Sequence, residues 1–212
     1  MSIELPRDNR PCLSSARSAL RLLNIVFSAA VAGTLIHTLE IYRSNISLDL
    51  RHGELPMTWP ARTNLAPTLI LFIVAASNFV ASVAIMAMSA KRSFRRPIRT
   101  RDAYRILAGS LVVVLWVSAI SGFQWIDAKS KASLGHYACG NRNVLSNGRF
   151  QYRAVCTEQG LAFYLAIGAA LVEAATLCTL AITALQAKKD RESIITLNEK
   201  GALDPSFEKR YP

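Results

Sequence analysis

The stretch TLILFIVAASNFVASVAIMAMS, residues 68–89, runs twenty-two positions without a charged side chain. As a helix rising 1.5 Å per residue it would reach about 33 Å, enough to cross a hydrocarbon core of about 30 Å. It predicts a membrane span, and the rest of the chain is read against it.

Three more apolar blocks have comparable length. Residues 104–126 carry one arginine at the start, Arg105, and close on Phe123 and Trp125. Residues 160–187 are apolar except for Glu173 near the middle. The first block, 19–42, is more polar: it holds Arg21, Asn24 and His37 around a short core, IVFSAAVAGTLI. A secretory signal peptide cleaved near AVAG is a competing reading there. Against it, the polar stretch ahead is long and the apolar run resumes through Leu39, Ile41 and Tyr42. An interfacial helix is a second competitor, but its polar residues do not gather on one broad face. A first span packed against its neighbours fits better.

The expected fold is therefore all-α: an integral membrane four-helix bundle with spans at about 19–42, 68–89, 104–126 and 160–187. Residues 1–18 form a leading segment, 19–187 the bundle, and 188–212 a tail expected to be disordered beyond a short continuation of the last helix.

The composition agrees: the chain has 212 residues, 51% of them apolar, and a formal net charge of +11. In a water-soluble chain that charge would suggest nucleic acid. Here the basic residues cluster beside the apolar blocks, which points to lipid headgroups and excludes a nucleic-acid partner. Seventeen of the 25 lysines and arginines fall in the leading segment, in the link between spans two and three, and in the tail; eight fall in the other two loops. The positive-inside rule then puts both termini in the cytoplasm and loops 43–67 and 127–159 outside. The basic link packs Lys91, Arg92, Arg95, Arg96, Arg99, Arg101 and Arg105 into fifteen positions and is the candidate contact for anionic lipid.

The second outer loop holds Cys139 and Cys156, with sixteen residues between them. Zinc would need further ligands at short spacing, and only His136 is near. A redox pair would sit closer together, beside a cofactor. Outside the membrane a disulfide is the favoured reading, with a possible hairpin in RFQYRAV, residues 149–155. Cys12 is a palmitoylation candidate, and Cys178 reads as packing inside the last span. Asn45-Ile46-Ser47 makes Asn45 a glycosylation candidate, although it lies only a few residues past the first span.

Glu173 is the sharpest candidate for function, because a carboxylate inside a bilayer asks for a partner or a role. Asn78 and Ser118 lie at similar depth on other spans, with His37 and Asn24 nearer the ends of span one. Small residues recur at four-residue spacing (Ala29 and Gly33, Ser77 and Ala81, Ser118 and Gly122, Ala166 and Ala170), which lets helices approach closely. No Gly-rich phosphate loop, HExxH or nucleophile elbow is present, so neither catalysis nor a cofactor is expected.

RSALRLLNIVFSAAVAG in span one and CTEQGLAFYLAIGAALVEAATL entering span four resemble the MARVEL-type tetraspan membrane proteins, particularly the short fungal ones. The resemblance covers most of residues 17–187 and is one of pattern. It implies a non-catalytic role in membrane microdomains, membrane apposition or vesicle traffic. The expected partners are lipids, other copies of the chain or other membrane proteins, in the plasma membrane or in secretory or endosomal membranes. The alternatives are a small channel or proton-coupled transporter using Glu173, with Asn78 and His37 lining the path, and an accessory subunit of a membrane enzyme.

Overall fold

A computed structural model of the chain describes residues 10–46, 59–60, 62–90, 101–143 and 151–202. It contains five helices: α1 (Arg10–Ile46), α2 (Ala66–Ala90), α3 (Arg101–Lys129), α4 (Leu134–Gly140) and α5 (Tyr152–Ala202). All but α4 are long and apolar enough to cross a membrane.

Each long helix buries one narrow stripe. The buried positions step by three and four residues: Asn24, Ser28, Val31, Leu35 and Thr38 on α1; Thr68, Leu71, Ala75, Asn78 and Ser82 on α2; Val155, Gln159, Ala162, Ala166 and Ala169 on α5. Trp116, Ala119 and Phe123 continue the pattern on α3. That spacing is the seam of knobs-into-holes packing. The opposite faces expose Ile73, Val80, Val114, Tyr164 and Leu171. A water-soluble bundle would not leave such faces bare; lipid accepts them.

The stripes close the helices into a ring, α1 on α2, α2 on α3, α3 on α5 and α5 back on α1. The pairings run antiparallel: Asn24 meets Ser82, and Ser28 meets Asn78, between α1 and α2. Thr38 meets Glu158 near one end of α1 and α5, and Arg17 meets Thr183 near the other. Between them lies a dry core of Val31, Leu35, Leu71, Ala75, Ala119, Phe123, Ala162, Ala166 and Ala169. Alanine on α5 keeps the helix axes close, where dispersion contacts replace the missing hydrophobic drive.

One end of the bundle carries a cap. Ser133 starts α4, its hydroxyl accepting from the His136 N–H (3.3 Å) and donating to Asp127 Oδ1 (2.5 Å). Asn64 caps α2 through Oδ1, which accepts from Ala66 N (3.0 Å), and its own N–H donates to the Ala132 carbonyl (2.9 Å). Trp59 is the hub beneath, its ring 5.0 to 5.7 Å from those of Tyr42, Tyr137 and Tyr152. Cys139 on α4 and Cys156 on α5 stand at disulfide distance over this cluster, their Cα atoms 4.9 Å apart.

Four sequence expectations change. The helices outrun the apolar blocks, since hydropathy marks only the oily part of a longer helix. α4 was not foreseen. In place of a hairpin across 149–155, α5 starts at Tyr152, because Tyr152, Val155 and Gln159 begin its buried stripe; residues 144–150 lie outside those described. The tail is helical to Ala202, with a Lys188–Glu192 pair (3.8 Å) one turn apart on its surface. Residues 203–212 are not among those described.

Candidate functional site

At one end of the dry core the seams of α1, α2 and α5 turn polar at the same level, and α3 brings the Trp116 indole there. Asn24 Nδ2 donates to Glu173 Oε1 (2.5 Å) and to Ser82 Oγ (3.1 Å). The amide of Asn78 can serve both Glu173 and the Trp116 indole in one orientation only. In that orientation its nitrogen donates to Glu173 Oε1 (3.1 Å), and its oxygen accepts from Trp116 Nε1 (3.2 Å) and Ser28 Oγ (3.0 Å). Arg21, three residues before Asn24 on α1, adds an electrostatic interaction with Glu173. One carboxylate thus gathers amide donors from α1 and α2 and a cation from α1, while α3 supplies the indole that fixes Asn78.

Chemically this is a hydrogen-bond layer that ties α1, α2, α3 and α5 together. Polar groups in hydrocarbon are costly unless each finds a partner. Here the donors come from helices that must pack in one register to reach the acid. Among the described residues no three His, Cys, Asp or Glu side chains converge as metal ligands would.

Of the intramembrane polar residues singled out from sequence, Glu173, Asn78 and Asn24 come together, whereas Ser118 and His37 stand apart. Ser118 is exposed, with its hydroxyl bonded to the Leu115 carbonyl of its own helix. His37 lies thirteen residues beyond Asn24, about 20 Å along α1 at 1.5 Å per residue. There it meets Glu158 (Nδ1 to Oε1, 2.6 Å), whose other oxygen accepts from Thr38 (2.9 Å). The dry core separates the two polar levels, so Asn78 and His37 do not line one path.

Asn45 is buried in the last turn of α1, and its Nδ2 is enclosed without a hydrogen-bond partner. A glycan would join through that atom, which would first have to turn out of its enclosed position. Cys178 is exposed on α5, against the expectation of packing. Cys12 lies in α1 and Arg101 and Arg105 in α3, with side chains outside the described set; Lys91, Arg92, Arg95, Arg96 and Arg99 are wholly outside it. Of the small-residue pairs, Ala166 and Ala170 on α5 pack with the core, whereas Ala29 with Gly33 and Ser77 with Ala81 face outward.

Sequence reading underrated Asn24 and overlooked Arg17 and Glu158. The signal was present: Arg17, Arg21, Asn24 and Ser28 step by four, three and four, the same stripe that continues as Val31, Leu35 and Thr38.

Four apolar helices of spanning length, with polar side chains turned inward and apolar ones outward, mark a multi-pass membrane protein. The chain belongs to the DUF8762 family, a domain of unknown function, whose model matches residues 10–199. No curated protein and no solved structure matches it.

Proposed function

We propose that this protein is a non-catalytic membrane organiser, acting through lipid and helix contacts in membrane microdomains, membrane apposition or vesicle traffic. The observation that carries the reading is the engagement of Glu173 by side chains from two other helices. Its Oε1 is engaged by Asn24 and Asn78, with Trp116 holding Asn78 from the third helix. A coupling carboxylate would need to exchange partners during each cycle; this one is built into the bundle's register. The outward Ala29–Gly33 and Ser77–Ala81 pairs offer flat faces to neighbouring helices. The MARVEL-like pattern of spans one and four supports the same class of work.

In this reading both termini are cytoplasmic, the Cys139–Cys156 cap faces outward, and the basic link 91–105 meets anionic headgroups of the plasma membrane or of secretory or endosomal membranes. Cysteine labelling from outside should reach a site at Ser146 and spare one at Ser93. The reverse pattern would invert the topology.

The functional test is flux in reconstituted vesicles. The expected result is no proton or cation flux above lipid alone, together with self-association or clustering of anionic lipid. Flux abolished by Glu173→Gln would replace the organiser with a transporter.

A further inference from the structure

The outward face of α3 carries polar groups that lipid cannot serve. Trp116, Ala119 and Phe123 turn inward. On the far side Val114, Val117, Ser121, Gln124 and Ala128 follow one another at steps of three, four, three and four, all exposed. That is the spacing of a helix seam, here without a helix against it. Elsewhere in the spans, Ser77, Ser110 and Ser118 donate to carbonyls one turn back on their own helices. Neither the Ser121 hydroxyl nor the Gln124 amide has a hydrogen-bond partner among the described residues.

Depth makes the amide the more demanding of the two. The spanning stretch of α3 is Ile106–Lys129. Gln124 lies about 10 Å past its middle at 1.5 Å per residue, inside the roughly 15 Å half-thickness of the hydrocarbon. A serine can turn its hydroxyl onto its own helix, as Ser118 does. Gln124 presents two N–H donors and a carbonyl oxygen, and a continuous helix has no spare N–H to offer that oxygen. An unpaired amide in hydrocarbon is costly, and membrane helices relieve such a cost by hydrogen-bonding across to one another.

We propose that the outward face of α3 is where two copies of this chain associate, packed α3 to α3 about a two-fold axis along the membrane normal, with their Gln124 amides paired reciprocally. The occupant is a second copy because two chains inserted the same way bring Gln124 to the same depth. A primary amide is both donor and acceptor, so it is its own complement across a two-fold axis. Ser121, one turn deeper on the same seam, is small enough to let the two backbones approach closely. The pairing does not rest on the organiser reading. It is equally consistent with a channel or transporter, and the flux assay above tests the organiser separately.

The test uses the full chain reconstituted in lipid vesicles, with Cys12 and Cys178 replaced by serine and the Cys139–Cys156 pair intact. Ala128→Cys places a thiol at the cap end of the seam, and Glu40→Cys places one on an exposed position of α1 toward the same end as a control. Copper phenanthroline then oxidises thiols that meet. Ala128→Cys should give a covalent dimer, and Glu40→Cys about a tenth as much or less. Adding Gln124→Leu to Ala128→Cys should raise the protein-to-lipid ratio at half-maximal dimer about tenfold, the weakening expected when inter-helix hydrogen bonds of this kind are lost. Gln124 is exposed in the single chain, so Gln124→Leu should keep the fold, which monodisperse elution before reconstitution checks. No dimer from Ala128→Cys, an equal yield from Glu40→Cys, or a yield that Gln124→Leu leaves unchanged at every lipid dilution would each overturn the proposal. A different membrane protein that binds the unmodified chain and not Gln124→Leu, with the chain itself monomeric in vesicles, would assign the face to that partner and overturn the second copy as well.

Discussion

Replacing Asn24 by alanine tests the polar layer at its most connected point. The side chain donates to Glu173 Oε1 at 2.5 Å and to Ser82 Oγ at 3.1 Å, and it lies 3.1 Å from the Asn78 oxygen. Inter-helix hydrogen bonds inside membranes average about 0.6 kcal/mol and reach about 1.7 kcal/mol, so loss of the three contacts should cost about 2 kcal/mol. The sharper quantity is the coupling between Asn24→Ala and Glu173→Ala, which isolates their shared bond and should fall between about 0.6 and 1.7 kcal/mol. Unfolding by sodium dodecyl sulfate in mixed micelles measures it, followed by tryptophan fluorescence, because Trp116 sits in the layer. Glu173→Gln keeps an acceptor oxygen in place and should cost less than Glu173→Ala. A coupling below about 0.3 kcal/mol, which is within ordinary additivity error, would refute the claim that this bond joins α1 to α5.

The same titration, followed by circular dichroism where Trp116 itself is replaced, checks the remaining expectations. Trp116→Phe removes the donor to Asn78 while keeping most of the packing and should cost about 1 kcal/mol, against about 3 to 5 kcal/mol for Trp116→Ala; equal losses would mean the indole N–H is idle. Cys139→Ser opens a loop whose closure contributes about 3 kcal/mol in the chain-entropy model. Adding a reductant to the unmodified protein should reproduce that loss, and adding it to the variant should change nothing. Gly168→Leu would press a side chain into the Phe27 ring, whose nearest atoms already lie 3.4 Å from where a Cβ would stand. Overpacking of that kind should cost about 1 to 3 kcal/mol, and a neutral result would show that α1 and α5 are farther apart than described.

How much of this was legible beforehand depends on the length scale of the signal. A charge-free run such as 68–89 reports its environment by itself, and α2 is found at Ala66–Ala90. Helix ends are harder, because a helix continues through the headgroups on local propensity and seam contacts that hydropathy does not register; α1 and α5 extend furthest. The polar layer was half legible. Depth along the sequence paired Glu173 with Asn78 correctly but also proposed Ser118, because depth ignores which way a side chain points around the helix. Counting back in threes and fours from Val31 on α1 would have promoted Asn24, and counting on from Trp116 along α3 passes over Ser118. The cap was least legible: Trp59 gathers Tyr42, Tyr137 and Tyr152 from three separate segments, and no local pattern announces such a meeting.

The last helix has a mechanical consequence. Its apolar stretch ends at Gln186, yet the helix continues to Ala202, sixteen residues or about 24 Å further at 1.5 Å each. It acts as a mast set into the bundle. Anything fastened at its tip would be held at a fixed height above the membrane and would turn with the four helices below, so a small rotation of the bundle would swing the attached body through a wide arc.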